Sequence, residues 1–470
     1  MQYIRTEADG QSVFTESTDF LKIPCCLYGF QSKETTVHES AAGRTVFCFH
    51  GTLAIPPEEL VCPECGAKMH VNQHPDIALW HLCIGRNLTK VVFPHNQFRC
   101  SACGATSSQF ISFKADGHRI TEELYQYTRD LLAIGSYTLK QVSEITGLGK
   151  NVVKAIDKKR LQEKYTIDGK TLRRPEYRAK YLGIDEFKLH NGHRYATHII
   201  DMERGHVLWI GYGKKKQVVY DFIEHVGMDW METVEAVACD MNSDFQEAFE
   251  ERCEWIQPVF DYFHIVKNFN DKVVSEVRKD EQRRLTDEGR PEEAAALKRT
   301  RYILTSSRKT LQRKDKEAAE GKVLSKGSEL FNKEEVVRKP GYEAKYDALL
   351  KDNELLFTLD LLKEKLSEAY RQTSEPVMAD MVTEIMDLCA ATENKHLLWF
   401  RKLIYDHFEG IIAHATYRIS AGKIEGINNK IKTMRRQGYG YPDDEYFFLK
   451  IIDVSRTKYV RNPQSHRFQD

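Results

Sequence analysis

The run Tyr181-Leu-Gly-Ile-Asp-Glu-Phe187 sets two carboxylates inside a short apolar strand. Charges placed there are costly unless they bind something or are satisfied locally, by a strand-end cap or an ion pair. Around this run the pattern continues in strand and helix lengths. Tyr195–Ile200 and His206–Tyr212 read as two further strands, joined by a turn at Glu203-Arg-Gly205. Lys214–Val226 reads as a helix with Val219, Phe222, Ile223 and Val226 on one face. Val234–Asp240 reads as a buried strand that ends in an aspartate. Asp244–Arg252 is helical, Gln257–Phe260 is a fifth strand, and Asp261-Tyr-Phe-His264 opens another helix. Three strands, helix, strand, helix, strand is the order of an α/β fold of ribonuclease-H-like type.

Further along, Ser420–Tyr441 (SAGKIEGINNKIKTMRRQGYGY) reads as a helix over Gly422–Arg436. Ile424, Ile427, Ile431 and Met434 share its apolar face. Glu425, Asn429, Lys432 and Arg436 line up roughly opposite. One carboxylate followed by amide and basic groups suits a site for a metal and a phosphodiester. The plainer reading is an amphipathic surface helix with a solvated glutamate. Asp185 and Asp240 upstream tilt the choice toward a site. From Asn270 to about Asn394 the chain reads as a charged helical insertion, with Leu355–Tyr370 a clear amphipathic helix. Trp399 and Phe400 are expected to pack it on the core.

The N-terminal third carries metal-ligand spacing. Cys62-Pro-Glu-Cys65-Gly and Cys100-Ser-Ala-Cys103-Gly are two C-x-x-C-G knuckles. Two-residue spacing lets both thiolates of a knuckle reach one ion, and the glycine permits the turn beneath the sulfurs. Together they make a closed, four-thiolate structural zinc site. Residues 66–99, 34 in all, separate the pair and include His70, His74, His81, Cys83 and His95, any of which could replace a ligand. Leu88–Phe98 reads as one strand entering the second knuckle. Cys25, Cys26, Cys48, Cys239, Cys253 and Cys389 lack ligand-like spacing and read as small buried hydrophobes.

Three helical patterns follow from Thr121 to Leu161. Glu122–Ile134 carries Leu124, Tyr127 and Leu131 at helical spacing. Thr138 and Gln141 have capping-box form, opening a helix with Val142 and Ile145 inward that stops at Gly147. A third helix runs from about Lys150 to Leu161. This is a helix-turn-helix pattern. Its third helix would place Lys150, Asn151 and Lys154 in a major groove. Between Thr138 and Lys180 there are 12 Lys and Arg against 5 Asp and Glu, a surplus of +7 in a chain of net charge zero. A solvated helical hairpin is the plainer alternative. Gln162–Lys180 reads as a linker.

Composition sets outer bounds. The chain has 470 residues, which calls for several domains, and 41% hydrophobic residues, which is globular. No apolar run approaches a membrane span, and the N-terminus (MQYIRTEADG) is polar. Eleven cysteines without an export signal point to reduced thiols and metal sites. The expected location is the cytoplasm.

These blocks resemble the DDE transposases of bacterial insertion sequences, of the ISL-three type. The resemblance runs over nearly the whole chain. It joins the zinc knuckles and helix-turn-helix to Gly183-Ile-Asp185-Glu186, Gly192-His-Arg-Tyr195-Ala-Thr, Asp240 and Asp261-x-x-His264-Ile-Val-Lys. It ends with Glu425-Gly-Ile-Asn-Asn-Lys-Ile-Lys432 and Arg435-Arg436-x-Gly-Tyr-Gly, the most specific block. The resemblance implies a catalytic triad of Asp185, Asp240 and Glu425 holding two divalent cations, magnesium or manganese. Asp201 is a weaker candidate for the first aspartate. Glu186 is expected on the opposite sheet face from Asp185. His264 would orient a carboxylate or meet the scissile phosphate, while Lys432, Arg435 and Arg436 hold DNA phosphates.

The implied organisation is a zinc-ribbon-like region (1–115), a helix-turn-helix domain with linker (116–180), and a ribonuclease-H-like core (181–269 and 399–470) split by the insertion (270–398). The implied substrates are double-stranded terminal repeats and target DNA, which narrows the expected location to the bacterial nucleoid. The implied state is a homodimer or larger assembly on DNA, with no membrane. Two other readings stay open: a different nuclease on the same fold, and an inert zinc and helix-turn-helix regulator.

Overall fold

In the computed structural model the described residues are 4–6, 12–14, 27–241, 243–328, 330, 334–351, 353–420, 422–438 and 441–456. The expectations for Cys25, Cys26, Tyr439 and Gly440 fall outside them. The chain forms two compact units: Met1–Arg173 with Met434–Asp470, and Arg174–Thr433.

The first unit begins with strands β1 (Ile4–Thr6), β2 (Ser12–Phe14), β3 (Phe30–Glu39), β4 (Thr45–Leu53), β5 (Met69–Gln73), β6 (Asp76–Ile84), β7 (Asn87–Pro94), β8 (Gln97–Cys100) and β9 (Thr106–Ser108). Among the described residues a six-stranded sheet runs β1-β2-β3-β4-β7-β6, and a three-stranded sheet runs β5-β8-β9. Phe49, Leu79, Val91, Phe93, Ile111 and Phe113 form the core of the larger one. The expected single strand over Leu88–Phe98 is two strands in two sheets. Pro94 ends the first, because proline cannot donate to a ladder. The hairpin β6–β7 therefore joins the larger sheet, and this inserted hairpin explains the long spacing between the knuckles.

Helices α1 (Glu122–Ala133), α2 (Leu139–Thr146) and α3 (Lys150–Tyr165) follow. Thr138 and Gln141 form the expected reciprocal cap, with Gln141 N–H donating to Thr138 Oγ1 at 3.2 Å and Thr138 N–H to Gln141 Oε1 at 2.8 Å. Gly147 ends α2 at φ +74°, a conformation glycine adopts without strain. Leu124, Leu131, Val142, Val153 and Ile156 are buried together. Ile145 and Tyr127 are exposed, against expectation. On the two-turn helix α2 the buried pair is Val142 and Thr146, four residues apart, which leaves Ile145 at the margin. The C-terminal helix (Asp444–Arg456) packs on α3.

In the second unit, β10 (Tyr181–Lys188), β11 (Tyr195–Asp201), β12 (Val207–Tyr212), β13 (Ala236–Cys239) and β14 (Gln257–Phe260) form a sheet ordered β12-β11-β10-β13-β14. β10, β11 and β12 are antiparallel neighbours, whereas β13 and β14 run parallel to β10. Parallel neighbours need crossovers. These are α4 (Lys216–Val226) with the short α5 (Met228–Met231), and α6 (Ser243–Arg252). Their apolar sides bury Leu182, Ile184, Ile199, Phe222, Val237, Phe245 and Phe249.

After β14 come α7 (Tyr262–Asn268) and a π-helical turn, Phe269–Val274. Then α8 to α14 span Ser275–Asp287, Pro291–Leu297, Arg301–Leu304, Arg308–Ala319, Tyr342–Lys351, Glu354–Ala369 and Glu375–Ala391. A small hairpin of β15 (Val323–Ser325) and β16 (Val336–Val337) interrupts them. α15 (Lys395–Asp406), α16 (Phe408–Ile412), α17 (His414–Tyr417) and α18 (Gly422–Gln437) return the chain to the sheet. Phe400 is fully buried, its ring 4.9 Å from that of Phe269. Trp399 instead is 40% exposed and does not share that anchor. α18 lies close on the other sheet face. A Cβ on Gly183 would stand 2.4 Å from Met202 Sδ and 2.9 Å from Ile424 Cδ1.

Candidate active site and zinc-ligand cluster

Two parallel strands set up the acidic site. β10 and β13 pair with Gly183 opposite Ala238. Two residues further on in the same register stand Asp185 and Asp240, one within β10 and one just past β13. Alternation along each strand puts both on the face that carries Gly183, where α18 packs.

Asp185 is held from two sides. Asn428 Nδ2 donates to Asp185 Oδ2 at 2.6 Å, and the Glu186 N–H donates to Oδ1 at 2.9 Å. Asn428 Oδ1 stands 2.9 Å from Nε2 of His198, the residue paired with Asp185 across β10 and β11. Because Asn428 spends its N–H on Asp185, its oxygen faces His198, so His198 carries its proton on Nε2. Burial lowers the His198 pKa, against the Asn428 bond and the Asp185 charge, so the ring is neutral. Its Nδ1, the acceptor nitrogen in that tautomer, is buried with no hydrogen-bond partner among the described residues.

Asp240 Oδ1 accepts from the Met241 N–H at 2.7 Å and lies 3.3 Å from His264 Nδ1. His264 sits on α7, whose N-cap is Asp261, accepting from the Phe263 N–H at 3.4 Å. The two members of the D-x-x-H motif therefore do different work. Asp261 builds the helix, and His264 meets the aspartate.

Glu186 feels both aspartates. Burial pushes its carboxyl above the ordinary value and the charges of Asp185 and Asp240 push it further, with Lys214 opposing. Asp201 is fully buried and closes the turn after β11, accepting from the N–H groups of Glu203 and Arg204 and from the Arg204 guanidinium. It is satisfied where it stands.

Glu425 lies exposed in the first turn of α18, three residues before Asn428 and so on the same side of the helix. Among the described residues, the one group of three or more ligand-type side chains gathered within 4.8 Å is the cysteine cluster below. Asp185, Asp240 and Glu425 are therefore neighbours by element and not a closed cage. Lys432 and Arg436 are exposed further along α18, and Arg435 is half-buried. Sequence reasoning missed Asn428 and His198. It followed the four-residue step from Glu425 to Asn429, whereas the three-residue step to Asn428 faces the sheet.

On α3, Lys150 and Asn151 are exposed at the N-terminal end. Lys154 is not free: its Nζ lies 3.0 Å from Asp443 Oδ2, which Lys158 also reaches. Arg160 pairs with Asp157 and Asp453, and Lys164 with Asp453. The local positive surplus is thus partly neutralised by Asp443 and Asp453, which the sequence count over 138–180 left out.

The four knuckle cysteines come together. Cys62 and Cys103 Sγ are 3.5 Å apart, Cys65 and Cys100 3.6 Å, and Cys65 and Cys103 3.5 Å. All four are free thiols. A disulfide would need about 2.05 Å. Zn–S bonds of about 2.3 Å arranged as a tetrahedron space the sulfurs roughly 3.8 Å apart, close to what is found. Gly66 and Gly104 have φ of +70° and +79°, and each knuckle turns identically, with the glycine N–H donating to the first cysteine's carbonyl. The Cys103 N–H, opposed by burial, brings the Cys100 thiol down to about 6, whereas Cys65 and Cys103, favoured as thiolates by the N–H groups of Ala67 and Ala105, are raised overall by the neighbouring sulfurs. None of the intervening candidates joins the four cysteines: His81 bonds Thr121, His95 the Gln109 carbonyl and His70 Ser101, Cys83 lies against Arg44, and His74 is exposed outside the cluster.

Comparison with known proteins gives the family. The model of a transposase family, the ISL3 type, matches residues 182–451. The chain is 27% identical over 394 residues to the transposase for insertion sequence element IS1001 of Bordetella parapertussis, covering 83% of this chain and 88% of that one. It is 24% identical over 267 residues to the transposase for insertion sequence element IS1557 of Mycobacterium tuberculosis, covering 55% and 56%. The matched segment is more than half of the chain and contains Asp185, Asp240, His264 and Glu425, and this protein belongs to the ISL3-type transposases.

Proposed function

We propose that this transposase binds the terminal repeats of its insertion sequence, cuts DNA there, and joins the ends to target DNA, using Asp185, Asp240 and Glu425. The observation that carries the reading is the pair Asp185 and Asp240, set two residues beyond Gly183 and Ala238 in the register of two parallel strands and each held by a partner from a different helix. The five-stranded sheet with its crossovers is read as a ribonuclease-H-like core, and α1–α3 as a helix-turn-helix module.

An all-oxygen donor set suits hard divalent cations such as magnesium or manganese. Asp185 and Asp240, with Glu186 close enough to feel both charges, gather negative charge where a cation would be favoured. Asp185, Asp240 and Glu425 would hold it. When bound, such ions activate the attacking oxygen and stabilise the leaving one. The chain's own residues do the positioning. Asn428, backed by neutral His198, keeps one Asp185 oxygen turned toward α18. His264 orients Asp240. Lys432, Arg435 and Arg436 meet phosphates, and Lys150 and Asn151 meet the repeat. The four cysteines would hold a structural zinc. Two ends must be brought together, so the working form is a dimer or larger on DNA.

The test is Asp240→Asn on labelled repeat DNA. The variant is expected to bind ends as the native protein does and to lose metal-dependent cleavage. Cleavage at the native rate would reject the assignment of Asp240.

A further inference from the structure

Beside His264 the same helix opens a second cavity, whose lining does not include Asp185, Asp240 or Glu425. A cavity of about 580 Å³ is lined by Phe263, Val266, Lys267 and Asn270 of α7 and the π turn, and by Arg301 and Tyr302 of α10. Phe263 is 51% exposed and Tyr302 is 53% exposed, so two aromatic rings face open space at the rim of one pocket. Phe263 also meets His264 edge to face, ring centroids 5.7 Å apart, and His264 touches Asp240. The pocket therefore starts one residue from the candidate catalytic carboxylate.

Two further features show that it is a built site. Asn270 stands in the π-helical turn, a local underwinding that departs from regular i→i+4 bonding and often marks function. Its Oδ1 is buried and has no hydrogen-bond partner among the described residues. A buried amide left unpaired is expensive unless a ligand completes it. Lys267, one turn beyond Phe263, is exposed and has no ion pair among the described residues, whereas Arg301 is bound to Asp271.

We infer that this pocket receives an unpaired nucleobase from the DNA end, stacked on Phe263 and Tyr302, met by the Asn270 amide, with Lys267 on an adjoining phosphate. The inference rests on the reading of Asp240 as part of the cleavage site. Aromatic faces take any base, and an amide reads a base edge. Chemistry on a duplex end is easier when a nucleotide beside the reacting bond leaves the stack, and a pocket that holds it offsets the unstacking.

The experiment compares cleavage of two repeat substrates. One is fully paired, and the other carries a mismatch at the nucleotide beside the scissile phosphate. Each is cut by the full-length native protein, Phe263→Ala, Tyr302→Ala and Phe263→Trp, with magnesium. Both alanine variants are expected to cut the paired end about ten- to hundredfold more slowly, as loss of one stacking partner predicts. They should recover most of that loss on the mismatched end, and Phe263→Trp should stay near native on both. Equal losses on the two substrates, or no loss, would overturn the pocket. A native protein that cuts neither substrate would instead reject the cleavage reading on which the pocket depends.

Discussion

Asn428 uses both ends of one amide, giving a hydrogen bond to Asp185 and taking one from His198. Hydrogen bonds to charged groups contribute about 1.5–3 kcal/mol, so Asn428→Ala should slow cleavage about ten- to hundredfold. Affinity for repeat DNA should be unchanged, because Asn428 holds a carboxylate and not a phosphate. Single-turnover cleavage beside a binding titration checks this, and a parallel fall in both would place Asn428 at the DNA. At this scale the sequence was legible where side-chain chemistry is local. The cysteine knuckles and the Thr138 cap could be read from spacing, while the D-x-x-H pair came from the family resemblance. Asn428 could not be told from Asn429, because helical phase alone leaves both near the Glu425 side. His198 was hidden because a histidine inside an apolar strand has no signature until its cross-strand partner is known.

Among the elements, α3 and the C-terminal helix share an interface built on buried charges. Asp157 is fully buried and accepts from Tyr446, Lys450 and Arg160, while Asp453 accepts from Tyr165, Lys164 and Arg160. Removing one partner leaves a buried charge uncompensated, so Asp453→Ala should destabilise the first unit by about 3–5 kcal/mol. Denaturant unfolding followed in that unit measures it. Burial raises the Asp453 carboxyl, but the bonds from Tyr165 and Lys164 and the Arg160 charge outweigh it, so its folded pKa lies below the ordinary value. Its contribution is therefore complete above an unfolded pKa of about 3.9 and is lost as pH falls below that. A pH series should show native and Asp453→Ala stabilities converging only in acid.

The same packing separates the lysines of α3. Lys150→Ala should weaken repeat binding and reduce the salt slope by about one. Lys154→Ala should change both less, since Asp443 already holds that ammonium. Equal salt slopes for the two variants would show that Asp443 releases Lys154 on DNA. This interface was not legible in the sequence. Its acids lie some 290 residues from their partners, as with Tyr165 and Asp453 at a separation of 288. The six-stranded sheet was missed for a similar reason, since β4 pairs in parallel with β7 across the first knuckle and its strand. The strands and crossovers of the second unit were legible, because apolar periodicity and turn residues fix them within short windows.

Across the whole molecule, the chain leaves its first unit at Arg173 and returns to it at Met434. The cysteine cluster belongs to the first unit and the acidic site to the second. One zinc per chain is expected by elemental analysis. Cys100→Ser should abolish it and loosen the small β5-β8-β9 sheet, as a structural site whose metal supplies folding energy would require. No zinc in protein purified without chelator would contradict that. Among the described residues no helix is long and apolar enough to cross a membrane.

The central claim is that Glu425, on the helix that holds Asp185, completes a metal-dependent cleavage site. It is tested most directly on labelled DNA carrying the element's terminal repeats, with magnesium or with chelator, using native protein and Glu425→Gln. The account predicts magnesium-dependent cutting at the repeat boundary by the native protein, and binding without cutting by the variant. Native-rate cutting by Glu425→Gln, or tight binding by the native protein with no cutting in magnesium or manganese, would contradict it.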